Sequence, residues 1–241
     1  MNTVQLVRCA NPDELARVVA AAWMLELATA RHAGAPQCVA LSGGRIALKF
    51  FAAAVALAQT QQISLVGVHF FWADERCVPP DDAQSNFAVA TESFFRPLGL
   101  TASQIHRILG EQAPERAAEL AATELQRFAP QNAAGQPVLD LIFLGMGEDG
   151  HVASLFPGEP EALQLHPAIY RAVTDAPKPP QRVTLGYAAL GAARQVWVLA
   201  SGAGKEKALR DSLQQGALTP LGRVVQRRAL TKIFTDLAGN Y

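Results

Sequence analysis

The stretch of this sequence with the plainest chemical potential is Gly145-Met146-Gly147-Glu148-Asp149-Gly150-His151, a histidine set among glycines and acids. An imidazole can take a proton from water near neutrality, and a carboxylate two residues away can orient or tune it. The same glycines spell G-x-G-x-x-G, the pattern of a dinucleotide-binding turn in which backbone N–H groups and a helix dipole hold a pyrophosphate. That use needs a long crossover helix, whereas Pro157-Gly158 stops any helix after about two turns. The only following acid in range, Asp175, also comes later than the usual spacing. A tight turn that presents His151 beside a polar substrate suits these residues better; a glycine turn with an idle surface histidine is the plain alternative.

Three further groups could meet that histidine. Ser42-Gly43-Gly44 lies between a short apolar run at 38–41 and an alanine-rich helix at 45–59, a layout in which glycines let an anion approach the uncapped N–H groups of a helix start. Without other support the same residues read as a tight turn with Ser42 as a cap. Asp74-Glu75-Arg76 comes directly off an apolar run at 63–72, and Arg76 offers a two-pronged donor for phosphate or carboxylate. A solvated loop with an internal ion pair is its alternative reading. Ser201-Gly202-Ala203-Gly204-Lys205 follows the run 195–200, where a first-turn lysine opposes the helix dipole unless an anion sits nearby.

Other chemistries lack their parts. No G-x-S-x-G occurs, and Ser154 is expected within a short helix after His151 rather than as a nucleophile. No H-E-x-x-H or Cys/His cluster occurs, so Asp149, His151 and His166 could bind a metal only adventitiously. Neither a metal nor another cofactor is expected.

The elements that must position these groups follow from periodicity and breakers. Asn11-Pro12-Asp13-Glu14 starts a helix carrying Leu15, Val18, Val19, Ala22 and Leu27 on one face. Ser85 or Asn86 caps a helix reaching about 95, and Pro114 opens one with Ala117, Leu120, Ala121, Leu125 and Phe128 together. The run 139–144 is a buried strand, 105–109 a short strand at best with His106 partly exposed, and 182–185 precedes a short helix. Residues 223–235 read as a last helix or strand. Strands alternating with helices predict an α/β fold with a doubly wound, mostly parallel sheet and helices on both faces, in a single domain over residues 1–241.

Composition narrows the partners. Lys+Arg and Asp+Glu are both 21 in 241 residues, so no global field favours nucleic acid or an anionic membrane. The three cysteines are scattered without a C-x-x-C pair, which fits a reducing compartment. The start, Met1-Asn2-Thr3-Val4-Gln5, lacks a basic and apolar leader, and the apolar run 50–58 is too short to span a bilayer. A cytoplasmic protein acting on a small molecule is expected.

The segments 41–45, 73–79 with Ser85-Asn86, 144–158, 182–185 and 201–205, in that order, resemble the 6-phosphogluconolactonase family, whose fold is related to glucosamine-6-phosphate isomerases. The long glycine-histidine block is the specific part. The resemblance implies hydrolysis of 6-phospho-D-glucono-1,5-lactone to 6-phosphogluconate in the pentose phosphate pathway, with His151 as general base on water and Asp149 orienting it. It implies that Arg76, Lys205 and the Ser42-Gly43-Gly44 turn hold the phosphate, that Arg182 assists, and that Arg45, Asp74 and Gly147 border the substrate. The isomerase and deaminase branch carries Asn-Glu-Pro-Gly where this chain has Leu155-Phe156-Pro157-Gly158, so the missing acid favours hydrolysis. A noncatalytic sugar-phosphate sensor is the other alternative. Ile46-Ala47 replace the family's usual Ser/Thr-Pro, which predicts weaker phosphate affinity rather than lost activity. A monomer or small homo-oligomer is expected.

Overall fold

The computed structural model describes residues 3–31 and 36–239. Met1 and Asn2, the first residues of the expected leaderless start, lie outside them. In chain order the elements are β1 (Thr3–Arg8), α1 (Pro12–Arg31), β2 (Gln37–Leu41), α2 (Arg45–Thr60), β3 (Val68–Trp72), β4 (Asp74–Arg76), α3 (Asn86–Ala90), α4 (Pro114–Phe128), β5 (Leu141–Gly145) and α5 (Glu161–Gln164). Then come β6 (Tyr170–Val173), β7 (Arg182–Leu185), α6 (Tyr187–Ala192), β8 (Gln195–Ala200), α7 (Glu206–Ser212), α8 (Pro220–Gln226) and β9 (Leu230–Thr235).

Six strands form a wholly parallel sheet in the order β1-β9-β8-β5-β2-β3. The order reverses direction at β2, so right-handed crossovers place α1 and α2 on one face and the later helices on the other. This is the doubly wound arrangement expected from the alternation. Strands β2, β5 and β8 are buried along nearly their whole length, as strands covered on both faces must be. Between α1, α2 and the sheet, Trp23, Phe50 and Phe143 interlock with ring centroids 4.6–5.8 Å apart. Those three side chains are almost fully buried and form the middle of the core.

Several expectations need correction. The run 63–72 is a strand only from Val68, because Gly67 takes φ +83° and breaks the extended backbone. Asp74-Glu75-Arg76 is not a loop but β4, which pairs antiparallel with β7, and β7 with β6, in a separate sheet of three strands. Residues 151–158 hold no helix; Leu155 N–H donates to the Val152 carbonyl at 3.0 Å in a tight turn whose Ala153 has φ +50°. The 105–109 run contributes one bridge, Phe70 to Ile105. His106 is partly buried, in keeping with the expectation, with its side chain 6% exposed, stacked on Phe71 and hydrogen-bonded to His69 and Glu124 at 2.9 Å each. The tail contains both a helix, α8, and a strand, β9, and edge strand β1 was not anticipated. Among the described residues no helix is long and apolar enough to cross a membrane.

Arg228, between α8 and β9, is 5% exposed and gives its N–H groups to backbone carbonyls of Leu190, Gly191, Ala193, Arg194 and Leu230. It thereby satisfies the otherwise open carbonyls at the end of α6 and the entry to β8. Arg228→Met keeps the stem but orphans those carbonyls, and should lower unfolding stability by roughly 2–4 kcal/mol. Urea unfolding checks this; a loss within about 0.5 kcal/mol would mean that the carbonyls find other partners.

Candidate active site

Neighbouring strands β2 and β5 send the chain in opposite directions, β2 toward β3 and β5 toward β8. A crevice opens at their carboxyl ends where such departures diverge. The cleft there has a volume of about 340 Å³ and is walled by Ser42, Gly43, Gly44, Arg45, Asp74, Arg76, His151, Arg182 and Lys205, among others. Segments spread over more than 160 positions of sequence thus meet at one edge. Gly147 and Asp149 stand behind His151 rather than on the cleft wall.

The glycine turn builds a histidine-carboxylate pair. Asp149 Oδ1 accepts the His151 backbone N–H at 3.1 Å and lies 2.6 Å from His151 Nδ1. Burial pushes the Asp149 carboxyl up, but the hydrogen bonds and attraction from His151 outweigh it and hold the carboxyl below its usual range. A carboxylate on Nδ1 places the ring proton there, leaving Nε2 free to accept. Gly147 donates its N–H to the His151 carbonyl at 2.9 Å, so that group is not open to substrate. A side chain at 147 would put its Cβ 2.0 Å from His151 Nδ1, which is why only glycine permits the pair to close. Phe156 packs its ring 5.1 Å from that of His151, with the Arg182 guanidinium 5.7 Å from the same ring.

Across the cleft, α2 begins without a side-chain cap at Gly44, whose φ is +98°. Its first N–H groups therefore remain available to an anion. Ile46, which replaces the hydroxyl residue usual in the resembling family, lies on this wall. The Ser42 hydroxyl donates to the Phe143 carbonyl at 2.9 Å, so its proton ties β2 to β5. Arg76 and Arg182 stand opposite each other in the β4–β7 register. Arg76 Nη1 donates to the Gln84 carbonyl at 2.7 Å, while Nε of each arginine is buried without a partner. Burial and Arg76 pull the Arg182 pKa down, partly offset by Asp74. Lys205 is likewise lowered by burial and by Arg45, against opposing attraction from Glu148 and Asp236. Cations held together at this cost make a site for an anion.

Asp74, on the wall, accepts the Ser154 hydroxyl at 2.7 Å, and Ser154 has no exposed surface. That burial removes Ser154 as a nucleophile, while the acid in contact with His151 is Asp149, at 2.6 Å. Asn86 and Lys49 also line the cleft; Asn86 stood in the Ser85-Asn86 segment of the resemblance without a site role, and Lys49 was not named. Lys49 lies one helical turn after Arg45, a spacing that could have signalled it. The Asn86 amide takes its place from β4, whose Asp74 carbonyl accepts it. Among the described residues no group of three or more His, Cys, Asp or Glu side chains is arranged to hold a metal ion.

The family described as glucosamine-6-phosphate isomerases/6-phosphogluconolactonase matches residues 10–233. The probable 6-phosphogluconolactonase 3, chloroplastic, of Oryza sativa subsp. indica is 35% identical over 210 residues, 82% of this chain and 63% of that protein, so the chain spans less than two thirds of that relative. The 6-phosphogluconolactonase of Streptomyces coelicolor is 32% identical over 219 residues, covering 88% of this chain and 84% of that protein. The crystal structure of 6-phosphogluconolactonase from Thermotoga maritima superposes with a TM-score of 0.79 at 26% identity, over 97% of this chain and 98% of that one. With its glycine-histidine turn and cationic cleft at the switch point of the same fold, this chain belongs to the glucosamine-6-phosphate isomerase/6-phosphogluconolactonase family.

Proposed function

We propose that this chain is a 6-phosphogluconolactonase, a single lactonase domain over residues 1–241 that hydrolyses 6-phospho-D-glucono-1,5-lactone to 6-phosphogluconate. The observation that carries the reading is the pairing of His151 with Asp149 at 2.6 Å on the wall of a cleft otherwise rich in cations. In this reading the phosphate lies against the α2 N-terminus with Arg45, Arg76, Arg182 and Lys205, and the ring reaches toward His151. Held there, the substrate is oriented by binding energy remote from the reacting carbonyl. His151 Nε2 takes a proton from water as its oxygen attacks the lactone carbonyl. Asp149 fixes the tautomer and stabilises the imidazolium that forms. Collapse of the tetrahedral intermediate expels the ring oxygen, which takes up the proton from His151, and leaves a carboxylic acid that gives up its proton to water as the carboxylate product. A lactone is an activated ester, so no covalent enzyme intermediate is required.

The isomerase branch is less well supported, because the position of its extra acid is held here by Phe156, whose ring rests on His151. A sensor without catalysis has no need of the His151–Asp149 pair.

His151→Ala should reduce hydrolysis of freshly generated lactone, after subtraction of the spontaneous rate, by roughly 10² to 10⁴. Asp149→Asn should lower kcat more than it changes KM. A wild type that does not exceed the spontaneous rate would sink the lactonase reading. For Lys205 the working charge is the protonated one, and its pKa is lowered by burial first and by Arg45 second. Affinity for 6-phosphogluconate should therefore weaken with rising pH before an ordinary lysine, near about 10.4, would discharge. Lys205→Arg should flatten that alkaline limb in calorimetric titrations; superimposable wild-type and variant profiles would count against Lys205 as a phosphate contact.

A further inference from the structure

Glu75 is the acid of the Asp74-Glu75-Arg76 strand that does not line the cleft. Successive side chains of a strand alternate, so Asp74 and Arg76 face the cleft while Glu75 faces the start of α3. It is 2% exposed and forms no salt bridge with a cation among the described residues. Its carboxylate instead accepts backbone N–H groups of Arg76 at 2.7 Å, Asn86 at 2.8 Å and Phe87 at 2.8 Å, together with the Ser85 hydroxyl at 3.2 Å. A buried anion satisfied by donors alone is strongly fixed in place, and fixes its donors in turn.

Those donors belong to the cleft. Arg76 is on its wall, and its guanidinium is steadied by the Gln84 carbonyl in the loop that Glu75 closes. Asn86, also on the wall, donates its amide to the Asp74 carbonyl at 2.9 Å. The same amide presses on the anion turn, where a Cβ on Gly43 would fall 1.9 Å from Asn86 Oδ1. Through Asn86, Glu75 therefore reaches both Asp74 and the Ser42-Gly43-Gly44 turn.

We propose that Glu75 is a positioning residue of the anion site, an ionised clasp that sets Arg76 and Asn86 against the phosphate and releases them when it is protonated. This rests on the phosphate reading of the cleft given above. The groups around Glu75 are Asp74 and Arg76 on its own strand, Cys77 after it, and Arg107 from the loop before α4. Val183 opposes it on β7, and α3 contributes no titratable side chain. Burial raises its pKa and Asp74 adds to this, while the backbone N–H groups of Asn86, Phe87 and Arg76 pull the other way; the net direction is upward. The clasp thus opens at a milder acidity than an ordinary carboxylate, about 4.3, would allow.

The test is calorimetric binding of 6-phosphogluconate to wild type and Glu75→Gln between about pH 8 and about pH 5, with thermal melts at each pH and kcat and KM for the lactone. The neutral amide turns donors toward donors, so the variant should bind about tenfold or more weakly at the alkaline end, with KM raised in step and kcat within about threefold. The wild-type to variant ratio of affinities cancels protonation of the ligand and of the histidines, and should fall toward one as the pH drops. Equal affinity and KM in a variant that melts like wild type would overturn the inference while leaving the lactonase reading intact. A wild type that binds no 6-phosphogluconate would overturn both. If Glu75→Gln does not fold, Glu75→Asp and wild type carry the test. The shorter carboxylate should weaken binding at every pH, and wild-type affinity should drop on acidification while its melt remains cooperative; affinity unmoved in both would refute the clasp.

Discussion

Two parallel strands that lie side by side but send the chain to opposite sides cannot cover the ground between their ends. In this protein those strands are β2 and β5, and every group argued to do chemistry is arranged around the gap they leave. The Ser42 hydroxyl, donated across the gap to the Phe143 carbonyl, shows how closely the two backbones must approach. Glycine is required at that edge because the chain has to turn sharply while leaving backbone N–H groups bare. At Gly44 the requirement is a positive φ, and at Gly147 it is room for an imidazole and a carboxylate. The reactive pair and the anion turn are thus two answers to one problem of chain direction.

The electrostatics follow from the same crowding. Arg76 opposite Arg182, and Lys205 near Arg45, are arrangements that cost free energy in the empty cleft. Buried Asp74 offsets part of this, and its second duty, accepting from Ser154, fixes the turn that follows His151. The cleft is therefore preorganised for negative charge, with the reorganisation cost already met in folding.

Much of this was legible in sequence because it is local. A strand running into glycines and then a helix signals its geometry within about a dozen residues, and β2, β5, β8 and their turns stand where that signal put them. The histidine-carboxylate pair was legible for the same reason, being a contact two residues apart. What escaped was set by distant partners. Asp74-Glu75-Arg76 became a strand only because β7, more than a hundred residues later, offered an edge. Asn86 acquired its place through that strand, and β1 is a strand because β9 lies beside it at the other end of the chain. No periodicity in the chain reports such pairings.

A single residue, Ala73, separates β3 of the large sheet from β4 of the small one. It is fully buried, its N–H donates to the Leu41 carbonyl of β2, and its carbonyl accepts the Leu185 N–H of β7, both at 2.8 Å. That junction leaves no slack: one residue more or fewer would reverse the alternation of β4 and turn Asp74 and Arg76 away from the cleft. The stretch 174–180, by contrast, lies outside the strands and off the cleft wall. Through divergence, then, this architecture can lengthen or shorten that loop, while the step between its two sheets must keep its length.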